Sequence, residues 1–218
     1  EVRRLVLWVV ENDALMKDGG GVYIETSSAI GVGDQHQRVV LSNLTFERNT
    51  ATAGAGGALY RTGNGSLGVH DSLVSQNKAK NGGGFYLVDG SSILTNTNLT
   101  SNYATTTGGA VVLSQGEMMS SSWCMLDSND ATLSGGGVYV ANGSTLRGSN
   151  TLYSDNTARF DCSSGGSGGG GAMYMEAQAI GSSSMDRYLH NRASQGNGGG
   201  LYVSGESEWS CSSCLLQN

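Results

Sequence analysis

The sequence predicts an all-β protein, a parallel β-helix in which three short strands per coil stack on the same strands of the next coil. Three observations predict it. An asparagine recurs at Asn12, Asn49, Asn77, Asn102, Asn129, Asn156, Asn191 and Asn218, spaced by 37, 28, 25, 27, 27, 35 and 27 residues. A glycine pair with an aliphatic–aromatic tail recurs between them, as in GGALYR at 56–61 and GGGFYL at 82–87. The composition fits tight corners and thin coils: 35 glycines, no proline and 38 % apolar residues, below the ~45–50 % of ordinary globular domains.

Each part of the period has a physical reason. Three residues before each asparagine stands Val9, Phe46, Val74, Leu99, Leu126, Tyr153, Tyr188 or Leu215, always apolar or aromatic. That position reads as an interior anchor. The asparagine reads as a structural ladder, because an amide has both donors and an acceptor and serves buried turn backbone as well as its stacked neighbours. The glycine pair reads as a corner needing positive φ or close backbone approach. In the tails VYI, FYL, VVL, VYV, MYM and LYV, the first and third residues share one strand face. They are assigned inward, with Arg61 breaking the rule. Tyr23, Tyr60, Tyr86, Tyr139, Tyr174 and Tyr202, with Val112 among them, then form an outward file. It is either sheet stabilisation or a candidate binding face. Tyrosines facing inward are the alternative.

A looser third piece completes each period: NGSLGV from Asn64, GSSILT from Gly90, GEMMSS from Gly116, NGSTLR from Asn142 and GESEWS from Gly205. No window sustains a helical period, and glycine and β-branched content disfavour helix. Hairpins of a sandwich would not keep a long-range register. Recurring aromatic and β-branched residues argue against disorder. The whole chain, 1–218, reads as one β-helix segment of about 7–8 coils, roughly 35 Å long at the strand spacing. The two long periods reflect insertions near 26–38 and 161–169 that bulge from a corner. No cap is recognisable, so further coils of the same assembly or a partner are expected to cover the open edges. The start at Glu1 reads as a segment of something longer.

Net charge is −6 with only three lysines, Lys17, Lys78 and Lys80. This disfavours nucleic acid or an anionic membrane as a partner. The longest apolar run, LVLWVV at 5–10, is too short to span a bilayer. Cys124, Cys162, Cys211 and Cys214 allow three pairings. One or two disulfides are expected, with Cys162 tying down the glycine-rich insertion, as in an oxidising compartment. A lone Cys211-x-x-Cys214 is weak evidence for zinc. Asn43, Asn64, Asn98 and Asn142 stand in N-x-S/T sequons and are candidate glycosylation sites.

Catalytic chemistry has little support. His36, His70 and His190 fall at unrelated points of the period. Asp127, Asp130, Asp155 and Asp161 could form an oxygen-ligand cation site, although a solvated turn accounts for them. GGSGGGG at 165–171 lacks the Lys-Ser/Thr of a phosphate loop. No catalytic residue, metal or cofactor is assigned. A threonine ladder of the ice-binding kind does not repeat in register.

An apolar-x-x-Asn followed by Gly-Gly-Ala-aliphatic resembles the repeat of chlamydial polymorphic outer membrane proteins. Related repeats occur in large secreted proteins of bacteria, algae and protists. Phe46-x-x-Asn49 with Gly56-Gly57-Ala58-Leu59 carries both motifs in full. Elsewhere Val, Leu or Tyr replaces Phe, and Gly alternates with Ala. The resemblance implies a right-handed parallel β-helix at the cell surface or secreted, used in adhesion and extracellular assembly with a protein or glycan partner. The expected function is a non-catalytic structural or adhesive segment. Its rival is a polysaccharide lyase or glycoside hydrolase, since those enzymes share the fold; the sequence lacks their Asp-Asp pair and Gly-His-Gly.

Overall fold

The structure, a computed structural model, describes residues 7–26, 38–159 and 168–217. Both expected insertions lie outside these residues apart from their flanks, as do His36, Asp161, Cys162 and Asn218. The described chain is a right-handed parallel β-helix without helices. Its strands form four sheets of eight, six, seven and seven strands, and each strand pairs in parallel with its counterpart one coil away.

One coil shows the plan. Leu44–Glu47 belongs to sheet A, Thr50–Ala55 to sheet B, Leu59–Thr62 to sheet C and Ser66–His70 to sheet D. Six coils carry all four strands, fewer than the seven to eight expected. The expectation of three strands per coil is also corrected. The additional one, sheet B, follows each asparagine and is as short as Asp130–Ala131. Two residues between two corners are too few to show an alternating pattern.

Sheet B is built on alanine. Ala51, Ala79, Ala104, Ala131, Ala158 and Ala193 lie in register, each two residues after a ladder asparagine. Ala51 to Ala158 are fully buried or nearly so. The strand runs between the asparagine corner and the glycine corner, where only a methyl group fits inward. At the glycine corner, Gly56 has φ +69°, and a Cβ on Gly57 would collide with the Gly83 carbonyl of the next coil. Both glycines are therefore required.

The core fills the space between sheets A, C and D. Sheet A contributes one inward file, from Phe46 through Val74, Leu99, Leu126, Tyr153 and Tyr188. Sheet C contributes pairs such as Phe85 and Leu87. Where sheet A turns to tyrosine, sheet D becomes small, with Gly148, Gly181 and Ser183 at inward positions. Volume is thus conserved across the core. Tyr153 and Tyr188 stack at 4.7 Å, and the Tyr188 hydroxyl meets Ser183 Oγ at 2.7 Å.

Two sequence assignments change. Arg61 does not break the inward pattern: it stands opposite Ile24 and Leu87 and is 0 % exposed. In the last coil Leu216, not Leu215, pairs with Tyr188, so Leu216 holds the inward position.

Candidate functional site

The outward surface of sheet C carries the tyrosines. Tyr23, Tyr60 and Tyr86 stack with centroids 5.3 and 5.4 Å apart and planes within 6°. Val112 follows at the same register position. Tyr139, Tyr174 and Tyr202 then stack at 5.5 and 5.1 Å. The file is therefore two triplets separated by one valine. Stacking covers the ring faces inside each triplet.

The triplets differ. Tyr139 donates to Glu176 Oε1, and Tyr174 donates to Glu176 Oε2 at 3.2 Å. Tyr174 is only 2 % exposed. Burial, reinforced by donation to Glu176, pushes the Tyr139 phenol far above its ordinary pKa. Glu176 thus locks two members of this triplet onto the fold. In the other triplet Tyr23 is 52 % exposed and Tyr60 and Tyr86 are half-buried. Burial, then the Asp18 carboxylate, raises the Tyr60 pKa; burial raises that of Tyr86, against a hydrogen bond with Ser114. Tyr23 is the exposed tyrosine of the face; Tyr60 and Tyr86 beside it are half-buried, as are Tyr139 and Tyr202, and only Tyr174 is buried.

The asparagines lie inside the A/B corner. Each Nδ2 from Asn12 to Asn156 donates to Oδ1 of the asparagine one coil on, at 2.7–3.0 Å. From Asn49 to Asn191 each Nδ2 also donates to the carbonyl of a sheet A inward residue one coil back, Val9 for Asn49 and Tyr153 for Asn191. The backbone N–H of each asparagine joins the same acceptor; Asn77 N, for example, donates to Asn102 Oδ1. The amides are consumed internally and offer nothing to a ligand. The residue before each one, such as Arg48, Gln76 and Ser101, has positive φ.

A second polar file, unrecognised in the sequence, lines the D/A corner. Ser72, Thr97, Cys124, Thr151 and Asp186 are all buried there. Ser72, Thr97 and Thr151 donate their hydroxyls to the carbonyl two residues earlier, and the Cys124 thiol does the same. Cys124 is free and corrects the expectation of a disulfide at that position. It substitutes for serine or threonine as a corner donor, and burial raises its pKa. Cys211 and Cys214 are disulfide-bonded to each other. Asp186 Oδ1 accepts from Thr151 N at 2.8 Å, and burial raises the carboxyl pKa.

The buried charge pair is Arg61 with Glu117. The guanidinium contacts Glu117 Oε2, Ser92 Oγ at 3.1 Å and the carbonyls of Gly63 and Val88 at 2.7 and 3.1 Å. Ser92 Oγ also donates to Glu117 Oε1 at 2.8 Å. Glu117 sits in a corner file whose other members are small, among them Gly65, Gly90 and Ser144. A Cβ on Gly90 would strike Arg61 Nη1. Burial raises the Glu117 pKa even against the adjacent arginine.

The remaining candidates are dispersed. Asp127 accepts from Ser128 and Ser154, Asp130 pairs with Arg159, and Asp155 lies in an exposed positive-φ corner. His70 lies over Gly68 on sheet D, and His190 is at an A/B corner. Among the described residues no group of three His, Cys, Asp or Glu could hold a metal ion. No described helix is long and apolar enough to cross a membrane. Sequon residues Asn64, Asn98 and Asn142 are exposed, and Asn43 is half-buried. The Asn142 amide donates to Ser114 Oγ at 2.9 Å.

These features define a class of fold, a parallel β-solenoid of stacked, repeating coils. The Chlamydia polymorphic membrane protein repeat matches residues 43–60, the coil that carries both sequence motifs in full, and the solenoid fits that repeat class. The match suggests a repeat region of a surface or outer-membrane protein. No curated protein and no solved structure matches the chain.

Proposed function

We propose that this segment is a non-catalytic, adhesive part of a larger extracellular or cell-surface protein, holding the Tyr23–Tyr60–Tyr86 face toward a protein or glycan partner. The carrying observation is the outward stack of these three rings on a rigid sheet. Tyrosine supplies contact area at low entropic cost, with a hydroxyl for hydrogen bonding. The Asp18 carboxylate near Tyr60 gives the face a local negative field. The Tyr139–Tyr174–Tyr202 triplet, tied to Glu176, stabilises the sheet.

Printed arrays of glycans and extracellular-matrix proteins, probed with the segment, test this. Tyr60→Lys and Tyr86→Lys should abolish specific array binding while the circular-dichroism melt stays unchanged. Retained binding, or unfolding of both variants, would make the face purely structural. Cleavage of pectin-like or other acidic polysaccharides, lost on replacing Asp127 and Asp155, would overturn the non-catalytic reading.

A further inference from the structure

We infer that the D/A corner forms a second binding site, for a neutral oligosaccharide, independent of the tyrosine face. Asn43, Asp71, Asn96 and Trp123 occupy one position in four successive coils. Each donates its backbone N–H to the corresponding sheet D residue of the next coil, the acceptors being His70, Thr95, Ser122 and Ser149. Their φ values are 56°, 50°, 47° and 56°. At ~4.8 Å per coil they form a line about 14 Å long. Beside the first three runs a groove of about 420 Å³, whose walls include Leu73 and Asn98.

The chemistry of this line fits sugar. Asn and Asp side chains give paired donors and acceptors for vicinal hydroxyls, and Asn96 Nδ2 already donates to Asp71 Oδ1 at 2.8 Å, holding both in place. Leu73 offers an exposed apolar edge. Trp123, the fourth member, carries an indole that is 66 % exposed, and Asn150 continues the same corner position one coil beyond it. Asn and Asp tolerate the left-handed conformation, which a bulky residue adopts only under backbone strain. The tryptophan therefore sits at the corner against local preference, where its ring can receive the C–H face of a pyranose. The coil repeat is close to the length of one pyranose residue. The groove holds a single carboxylate and no cationic side chain. An anionic polymer would find no counter-charge there, and a cationic peptide would find only one.

Asn43 and Asn98 are also sequons, so the test uses protein made without N-glycans. Hexasaccharides of β-1,4-linked glucose, xylose, mannose and N-acetylglucosamine are titrated by calorimetry, with tryptophan emission followed in parallel. At least one series should bind saturably. Trp123→Ala and Asn96→Ala should each weaken it about tenfold or more, without shifting the melt. Trp123→Asn, which restores the residue type preferred at this corner, should fold and bind equally weakly. Tyr60→Lys should leave binding untouched. The inference falls if no series binds, if the Trp123 variants bind like the parent, or if Tyr60→Lys removes the binding instead.

Discussion

At the residue scale, Arg61 and Glu117 show how a repeat tolerates an exception. The two side chains meet inside the solenoid from positions 56 residues apart in sequence. Removing one partner of a buried pair strands the other in a low-dielectric interior, which costs about 3–5 kcal/mol. Replacing both by residues of the surrounding files removes the charges together. Arg61→Leu and Glu117→Ala should each lower unfolding free energy by that amount in urea titrations. The double variant should recover most of the loss. If the singles cost no more than the double, the pair is not coupled. The pair was half legible: the sequence marks Arg61 as an anomaly among Ile24, Leu87 and Leu113. Its partner two coils away could not be found, because Glu117 looks like an ordinary turn residue.

At the scale of the element, the two polar corner files behave differently with pH. The asparagine ladder is neutral throughout. The D/A file holds Asp186 where other coils hold Ser72, Thr97 or Thr151. A carboxyl whose folded pKa lies above its unfolded value keeps its proton more tightly in the native state. The stability it supports is fully present below the unfolded carboxylate range and is lost as pH rises through the folded pKa. Asp186→Thr should therefore be more stable than the parent at neutral pH and should flatten the decline above the carboxylate range. Melts at pH 3 to 8 would read this out; an unchanged pH slope contradicts it. Much of the ladder was legible because Asn12 to Asn191 repeat with one identity. The alanine of sheet B stands in the sequence as Asn-x-Ala in every period from Asn12 to Asn191, but a single small residue carries no alternation and so no strand signal. The D/A file was hidden because Ser, Thr, Cys and Asp share a role there without sharing an identity. Which tyrosines are accessible depended on Glu176, whose hydrogen bonds no spacing rule announces.

At the scale of the whole molecule, every interaction described runs within one coil, between neighbouring coils or to the next but one. Such a chain behaves as a one-dimensional stack whose stability is a sum of coils and interfaces. A whole period should then be removable. Excising residues 78–102, the 25 residues that separate two ladder asparagines, joins Asn77 to Tyr103 and leaves every file in register. Leu59 would face Val111, and Val74 would face Leu126. Arg61 and Glu117 would move from two coils apart to adjacent coils; Glu117 would take the place of Gly90, so the Arg61 side chain must shift away from its Cβ to keep the pair. The shortened chain should fold with unchanged β-sheet circular dichroism, lower thermal stability and a rod shorter by about 4.8 Å in small-angle scattering. Removing only residues 78–90 takes out two of these strands, Lys78–Asn81 and Phe85–Val88, and breaks the period. That leaves the Asn77 amide with no asparagine one coil ahead and shifts every later file out of step, so it should not fold. If both deletions fold, or neither does, register is not what holds this solenoid together.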